Sequence, residues 1–291
     1  MIIFVGALIV LLSVFGGFVL GGGHLGALLH VSELIIIAGG AFGALVIMSP
    51  KKVLMDLGRG MVSCLRGTAF TRVDYDDQLK ALYELFMLGR RNGMIALEEH
   101  VTDPAHSAIF QKYSDFARHA EAVEFLCSGL RPIIDGKIKP DQLRLLLNIE
   151  LEKMEQEHHA PVNVLTKAAD AMPGFGIVAA VLGIVITMAS ISGPIEQIGE
   201  KVAAALVGTF LGIFLSYGFM NPLATNLEFI GAAEQDYIRC IAACVVGFAN
   251  GMPPIMAVDL GRRGMSSELR PTAEEMETML KSVNTGRSAA T

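Results

Sequence analysis

The sequence contains little charge. Only 18% of its 291 residues are Asp, Glu, Lys or Arg, against about 25% in an ordinary globular domain. Hydrophobic residues make up 52%, and the charged residues gather in long polar blocks between long uncharged ones. This pattern excludes an ordinary soluble domain and indicates an integral membrane protein, in contact with lipid, with a polar part outside the bilayer. The net charge of −6 comes with no basic stripe, so we expect no nucleic-acid partner.

The sequence patterns of common catalytic and metal sites are missing as well. There is no HExxH, no CxxC and no glycine-rich phosphate loop. The pair His158-His159 follows three glutamates, but adjacent histidines point to different faces of a helix, which favours a solvated helix end over a metal site. We therefore expect no enzyme activity, no catalytic residue, no metal and no cofactor. The four cysteines are expected to be free cytoplasmic thiols: Cys64, Cys127, Cys240 and Cys244.

Four stretches are long and apolar enough to cross a bilayer, which takes roughly 20 apolar residues. They are residues 2–20, 33–49, 172–192 and 202–221. Glu33, at the start of the second stretch, is the only charged residue in any of them. The first stretch has no basic segment before it and a long apolar run, so we predict a retained span rather than a cleaved signal peptide.

The distribution of Lys and Arg predicts the orientation of these spans. None occurs in residues 21–32 and one, Lys201, occurs in 193–201, whereas sixteen occur in 50–171 and six from residue 222 onward. Basic residues stay on the cytoplasmic side, so we expect both termini and the long loop to be cytoplasmic. The chain then divides into two spans, a cytoplasmic domain, two further spans and a cytoplasmic tail: residues 1–49, 50–171, 172–221 and 222–291.

The polar part is predicted to be helical, which makes the whole chain an all-α membrane protein. Apolar residues recur at helical spacing and the pattern shows no strand alternation. A stretch at 240–258 is interrupted by Asn and Pro and is predicted to lie in a buried cytoplasmic helix. The predicted helices are 77–88 ended by Asn92-Gly93, one beginning near Ala96, 114–130 ended by Arg131-Pro132, 140 to about 158, and 272–282.

The third and fourth spans offer almost no polar groups. Their polar side chains are hydroxyls only, on Thr187, Ser190, Thr209, Ser216 and Tyr217. Glu33 is expected at the membrane interface, where an acid in a first helical turn suits the helix dipole. No buried carboxylate is then available to take up and release a proton. Either the protein moves no ion, or a partner helix supplies the acid; the hydroxyls could equally bond back to their own helices.

Small residues recur on both of these spans and predict close helix packing. The pattern does not decide between packing within one chain and packing against a partner. Pro173 is predicted to lie in the first turn of the third span and Pro222 to close the fourth, and the glycines beside Pro173 could also form a hinge. The stripes are Ala179, Gly183 and Thr187 on the third span and Ala204, Gly208, Gly212 and Ser216 on the fourth.

Several segments of the sequence resemble the flagellar motor stator family MotA, which is related to the ExbB and TolQ energy-coupling proteins. They include VFGGFVLGGGHLGAL, ELIIIAGGAFGA, PGFGIVAAVLGIV, AALVGTFLGIFLSYGFMNPLA and PPIMAVDLGRR. The resemblance covers nearly the whole chain and includes the arrangement of two spans, a long loop and two more spans.

The resemblance implies a motility machine in the bacterial inner membrane. Five copies would surround the transmembrane helices of two copies of a partner, MotB, each with an aspartate that carries the proton. The third and fourth spans would line the interior and the first two would face lipid. Ion passage would then rotate the ring, and the cytoplasmic loop would push on the rotor switch protein FliG.

The resemblance also implies roles for individual residues. In GRRNGMIALEEH, Arg90 and Glu98 match the rotor-facing charges of the family, and Arg91 and Glu99 are neighbours that could share the role. Pro173 and Pro222 match the two prolines linked to coupling. Three residues are expected to line the ion path: Thr209, Thr187 and Ala180.

Ala180 also bears on the coupling ion. Sodium-driven relatives commonly place a threonine there, and alanine offers no oxygen to a dehydrated sodium ion, so we predict proton drive. The alternatives are a sodium-driven stator, an ExbB/TolQ-like energiser of outer-membrane processes, and a solitary transporter, which the lack of an intramembrane acid disfavours.

Overall fold

The computed structural model describes residues 2–28, 30–67, 70–189, 191–192 and 194–288, and over these residues the regular structure is helical. The all-α prediction is confirmed. The α-helices are α1 (Ile2–Leu20), α2 (Val31–Leu34), α3 (Gly40–Met48), α4 (Lys51–Arg66), α5 (Arg72–Asn92), α6 (Glu98–Thr102), α7 (Ala108–Lys112), α8 (Ser114–Ala117), α9 (Ala120–Ile134), α10 (Pro140–Met188), α11 (Ile195–Leu215), α12 (Asn221–Ala249), α13 (Pro254–Arg263) and α14 (Ala273–Ser288). Short 3-10 turns occur at Leu25–Leu28, Met94–Leu97 and Pro104–His106, and π-helical turns at Ile35–Gly39 and Ser216–Met220.

The chain forms two compact units. The span unit comprises residues 1–68 and 157–230, and the polar unit comprises residues 69–156 and 231–291. In the described part of the chain, four helical runs are long and apolar enough to cross a membrane: Ile2–Leu20, Leu25–Met48, Pro140–Met188 and Ile195–Ala249. The four predicted spans are therefore confirmed.

The helix that contains the third span does not begin at Pro173. The helix α10 runs without interruption from Pro140 to Met188 and contains Pro161 and Pro173 in its interior. The predictions of a helix end near 158 and of Pro173 in a first turn are both wrong. No glycine occurs between Gly136 and Gly174 to end the helix, and membrane-spanning helices tolerate an interior proline such as Pro173 where their surroundings satisfy the freed backbone groups.

The helical run that contains the fourth span does not end at Pro222 either. A π-helical turn, Ser216–Met220, joins α11 to α12, and Pro222 is the second residue of α12. A π turn is wider than an α turn, so it accommodates the proline ring and its missing N–H without ending the run. The helical run thus continues through the predicted boundary at 221.

The polar unit is built around α5. A capping box of Thr71 and Asp74 begins this helix, and Gly93, at φ 88°, ends it as predicted, although the helix begins earlier than residue 77. Its apolar face is buried, and Phe86 stacks on Phe248 of α12 with ring centroids 4.4 Å apart. The core joins residues of α5, α9, α12 and α13.

One predicted helix of the polar unit is divided. The interval 114–130 contains α8 and α9, with a break at Arg118 and His119, and α9 continues through Pro132 to Ile134. The side chain of Arg118 reaches back to buried Asp74, which favours a break over a continued helix at this point.

Candidate functional site

The third and fourth spans pack against each other through glycine. A Cβ atom on Gly176 of α10 would lie 2.8 Å from the carbonyl oxygen of Gly208 on α11. A Cβ atom on Gly212 would lie 2.7 Å from the carbonyl oxygen of Met172 and 3.1 Å from the Cα atom of Gly176. Backbone atoms leave no room at either position, so both require glycine at this helix separation.

The same contact continues along both helices. A Cβ atom on Gly183 would lie 2.9 Å from the Cβ of Ala205, and one on Gly208 would lie 3.1 Å from the Cβ of Ala179. The structure thus brings the small residues of the two spans together within one chain. We call this contact the seam and define it as Gly176, Ala179, Gly183, Ala205, Gly208 and Gly212.

The four-residue spacing of the sequence finds most of the seam but not all of it. Ala204 is only half-buried, whereas its neighbour Ala205 is buried and faces Gly183. Gly176 and Ala205 were missed. Each is a small residue three positions before a residue of the predicted stripe, and a mixed three- and four-residue spacing would have found them.

One hydroxyl near the seam bonds to its own helix. Thr187 is buried, and its Oγ1 donates a hydrogen bond to the carbonyl oxygen of Gly183 at 2.8 Å. Ser216 is fully buried at the start of the π turn. Thr209 and Ala180 are half-buried. The Thr187 hydroxyl therefore donates its hydrogen bond to the backbone of its own helix.

The two prolines lie beside a polar contact that sequence reasoning missed. Asn221, one residue before Pro222, donates a hydrogen bond from Nδ2 to the Oδ1 of Asp170 at 3.3 Å. Asp170 lies three residues before Pro173 and is exposed. This hydrogen bond joins the helix of the third span to the start of α12 near both prolines, and it places a carboxylate in the interior of α10.

The side chain of Glu33 is buried within the chain. Its side chain is only 7% exposed, and Ser32 Oγ donates a hydrogen bond to Glu33 Oε2 at 2.7 Å. The burial arises because α2 packs against α11. The expectation that no carboxylate is buried in the spans is wrong for this residue, at the first turn of the second span. Residues 172–192 and 202–221 nevertheless contain no ionisable acid or base.

In the polar unit, four predicted charges lie around one helix end. Arg90 and Arg91 end α5 and Glu98 and Glu99 begin α6, and all four are exposed. Arg90 Nη1 donates a hydrogen bond to the Met252 carbonyl oxygen at 3.3 Å. We call this group of four residues the charged end. Its basic and acidic pairs also complement the dipoles of their helices, which is a structural reason for their presence.

The other end of α5 is held by a buried carboxylate. Asp74 is fully buried, accepts hydrogen bonds from the backbone N–H and hydroxyl of Thr71 at 2.7 Å, and pairs with Arg118 and His119. Burial alone would raise the pKa of Asp74, but the hydrogen bonds from Thr71 and His119 and the charge of Arg118 together lower it. This network fixes the start of α5 and therefore its position in the unit.

Potential metal ligands do not cluster in the described part of the chain, where no group of three His, Cys, Asp or Glu side chains gathers. His158 Nε2 lies 3.3 Å from the Leu227 carbonyl oxygen. Burial raises the pKa of the Cys127 thiol to about 11, which makes it a poor nucleophile. The prediction of free thiols is confirmed for Cys64, Cys127, Cys240 and Cys244, all of which are buried.

The sequence matches two described families. Residues 4–93 match Motility protein A N-terminal, and residues 117–236 match the MotA/TolQ/ExbB proton channel family. Motility protein A of Salmonella typhimurium is 37% identical over 97% of this chain and 96% of its own length. Motility protein A of Escherichia coli is 36% identical over 100% of this chain and 99% of its own length. Chemotaxis protein LafT of Vibrio parahaemolyticus is 35% identical over 95% and 97%, respectively.

The fold is similar to solved structures. The C. jejuni MotAB structure aligns with a TM-score of 0.75 at 20% identity and covers 91% of this chain and 96% of that chain. The flagellar MotAB stator complex from Bacillus subtilis aligns with a TM-score of 0.72 at 24% identity, covering 93% and 98%. At these identities the likeness establishes the all-α, four-span fold.

Proposed function

The chain belongs to the motility protein A family, and we propose that it is a stator subunit of a bacterial flagellar motor that converts ion flow across the inner membrane into rotation. Full-length identities of 36% and 37% to two motility proteins A support this function. In this proposal both termini and the polar unit face the cytoplasm, as the sixteen basic residues of 50–171 favour. The protein acts mechanically and catalyses no chemical reaction.

The observation that carries the proposal is the uncharged interior of the third and fourth spans. A proton crossing a low-dielectric region needs a titratable side chain at depth. Residues 172–192 and 202–221 contain none, and Glu33 lies at the first turn of a different span. A second protein must therefore bring the acid. Both solved relatives are MotAB structures, so we propose MotB, with a transmembrane aspartate, as that partner.

The packing of the seam limits where the partner can bind. The seam residues already pack against the neighbouring helix of the same chain, so a partner helix has to contact other faces of the two spans. The exposed apolar face of α10 fits this role, with residues such as Ile177, Val181 and Ile184. Five copies of this chain around two MotB helices would place that face and Ala180 toward an interior. The helix α1 buries no side chain and suits contact with lipid.

The proposed coupling ion is the proton. A sodium ion that sheds its water needs oxygen ligands, and Ala180 provides no side-chain oxygen, while the hydroxyl of Thr187 already donates to Gly183. A proton requires only the partner's carboxylate and water. Pro173 and Pro222, beside the contact between Asp170 and Asn221, are the proposed points at which protonation changes the helix geometry.

The proposed output surface is the charged end. Exposed charges contribute little to stability but set the register and encounter rate of a charged partner. Arg90, Arg91, Glu98 and Glu99 would therefore push on FliG, the rotor switch protein.

An energiser of the TolQ or ExbB kind is the second candidate, because the match over residues 117–236 is to a family that includes both. The match over residues 4–93 is specific to motility protein A and favours the motor.

Complementation tests the proposal. The chain and its partner are expressed in motile bacteria that lack their own stator, and swimming speed is measured. We expect motility that a protonophore abolishes and sodium removal leaves intact. Arg90→Glu and Glu98→Lys should each reduce speed without reducing membrane insertion. Absence of motility with normal insertion would contradict the stator function, and loss of speed only on sodium removal would contradict proton drive.

A further inference from the structure

The charged end encloses an exposed apolar residue. Ile95 lies in the 3-10 turn Met94–Leu97, between Arg91 and Glu98, and its side chain is 77% exposed. Single exposed hydrophobic residues are common and need no explanation on their own. The surroundings of this one set it apart.

The turn that presents Ile95 is rigidly anchored. Gly93 adopts φ 88°, which reverses the chain directly after α5. Leu97 is fully buried, and a Cβ atom on Gly89 of α5 would lie 2.9 Å from its Cδ1. Ile95 precedes Leu97 by two positions, so in a 3-10 turn the two side chains point in different directions. Burial of Leu97 therefore directs Ile95 outward from a fixed base.

A second apolar side chain stands at the same helix end. The position of a Cβ on Gly89 is also 3.1 Å from the Phe248 ring, so the end of α12 meets α5 at the same turn as Leu97. The chain then turns at Gly251, and Met252, which is 37% exposed, accepts a hydrogen bond at its carbonyl from Arg90. Ile95 and Met252 are therefore both exposed next to residues of the charged end, Ile95 along the chain and Met252 through its hydrogen bond from Arg90.

We propose that Ile95 and Met252 form an apolar anchor that holds the rotor after the four surrounding charges have guided it into place. This inference rests on the proposed rotor contact and adds the part of the surface that determines how long the contact lasts. Interfaces take most of their binding energy from a few desolvated side chains inside a polar rim, while rim charges mainly set the association rate. The occupant is a rotor surface with an apolar side chain flanked by an acidic and a basic group. Met252 is adaptable enough to fit successive rotor subunits as they pass.

Charges of both signs argue for this occupant over lipid. An anionic membrane surface attracts basic residues and repels acids. Glu98 and Glu99 lie three and four positions from Ile95, closer in sequence than Arg91 and Arg90, which lie four and five positions away. A protein surface with complementary charges satisfies both pairs.

The test compares Ile95→Ser with Val73→Ser. Val73 is a matched control, because it is a 55% exposed β-branched residue in the first turn of α5, whereas Ile95 follows the last turn of that helix. Fluorescently tagged stators are followed at single motors in the complemented strain, which reports the recruitment rate and the dwell time separately. We expect Ile95→Ser to shorten the dwell time about tenfold, the equivalent of losing one buried anchor, with recruitment little changed. Arg91→Gln should instead slow recruitment.

Several results would overturn the inference. Equal dwell times for Ile95→Ser and wild type would show that Ile95 does not anchor the rotor. A Val73→Ser variant that shortens the dwell time as much as Ile95→Ser would show the same. A change in thermal unfolding or in the number of chains per complex would assign Ile95 to folding or to subunit contact. Failure of the wild-type chain to restore motility would instead refute the stator function itself, and the two failures are therefore distinguishable.

Discussion

Substituting two nearby glycines of α10 should have different effects on stability. A Cβ atom on Gly176 would lie 2.8 Å from the Gly208 carbonyl oxygen and 3.3 Å from the Cα atoms of Thr209 and Gly212. Ordinary contact begins near 3.4 Å, so the carbonyl oxygen is about 0.6 Å too close. A Cβ atom on Gly174 would meet nothing within 4 Å. The pair therefore separates the packing cost of a methyl group from its effect on the helix.

The magnitudes follow from this geometry. Alanine is favoured over glycine in a helix by about 1 kcal/mol, and both variants gain this contribution. Overpacking costs typically about 1–3 kcal/mol, and only Gly176→Ala incurs it, because backbone atoms cannot rotate away. We expect Gly174→Ala to be as stable as wild type or slightly more stable, and Gly176→Ala to be about 1–3 kcal/mol less stable than Gly174→Ala.

Thermal unfolding of the purified protein in detergent measures this difference, which should amount to several degrees in Tm. Gly212→Leu places a larger side chain in the same seam, so it should prevent assembly and abolish swimming. If Gly176→Ala gained as much stability as Gly174→Ala, the two spans would not approach each other along this seam, and the placement of the partner on other faces would lose its basis.

Three further outcomes are expected. Asp74→Asn should lower the free energy of unfolding by about 2–3 kcal/mol at pH 7, because Thr71, Arg118 and His119 would lose the carboxylate they bind. Since the pKa of Asp74 is lowered in the folded state, its stabilisation is present at neutral pH and is lost as pH falls through the folded pKa. The free energies of unfolding of wild type and variant should therefore converge in acid, and a constant difference between them would contradict this assignment. Thr187→Val should leave swimming speed nearly unchanged, because the hydroxyl already donates to Gly183; a large loss of speed would place that hydroxyl on the ion path. Pro173→Ala should raise the Tm, because it restores a backbone hydrogen bond inside α10, and it should reduce swimming speed. A variant that swims as fast as wild type would show that Pro173 takes no part in coupling.

The spans could be predicted from sequence because bilayer thickness imposes a length and a composition on each of them. The charged end of α5 could also be located, since Gly93 is a strong terminator whose conformation few other residues adopt. Both are local properties of the chain, and the helical assignment of the polar part depends on the same kind of local pattern.

The errors arose where packing outweighs local preference. Proline normally ends a helix in water, yet Pro161 and Pro173 lie inside α10, and Pro222 follows a π turn that absorbs its ring. The burial of Glu33 depends on the approach of α11, which no local pattern contains. The spacing of small residues predicted a close helix contact but not its register, because Gly176 and Ala205 become part of it only when the two helices are paired.

Proton flux into liposomes tests the central claim directly. The purified chain is reconstituted alone, with its partner, and with a partner whose transmembrane aspartate is replaced by asparagine. Any segment of the partner that closes the ion path is removed equally in both complexes. We expect flux only for the complex with the intact aspartate, because the third and fourth spans contain no acid of their own. Equal flux from the chain alone would show that the proton has another carrier in this polypeptide, with Glu33 as the first residue to test, and would contradict the account.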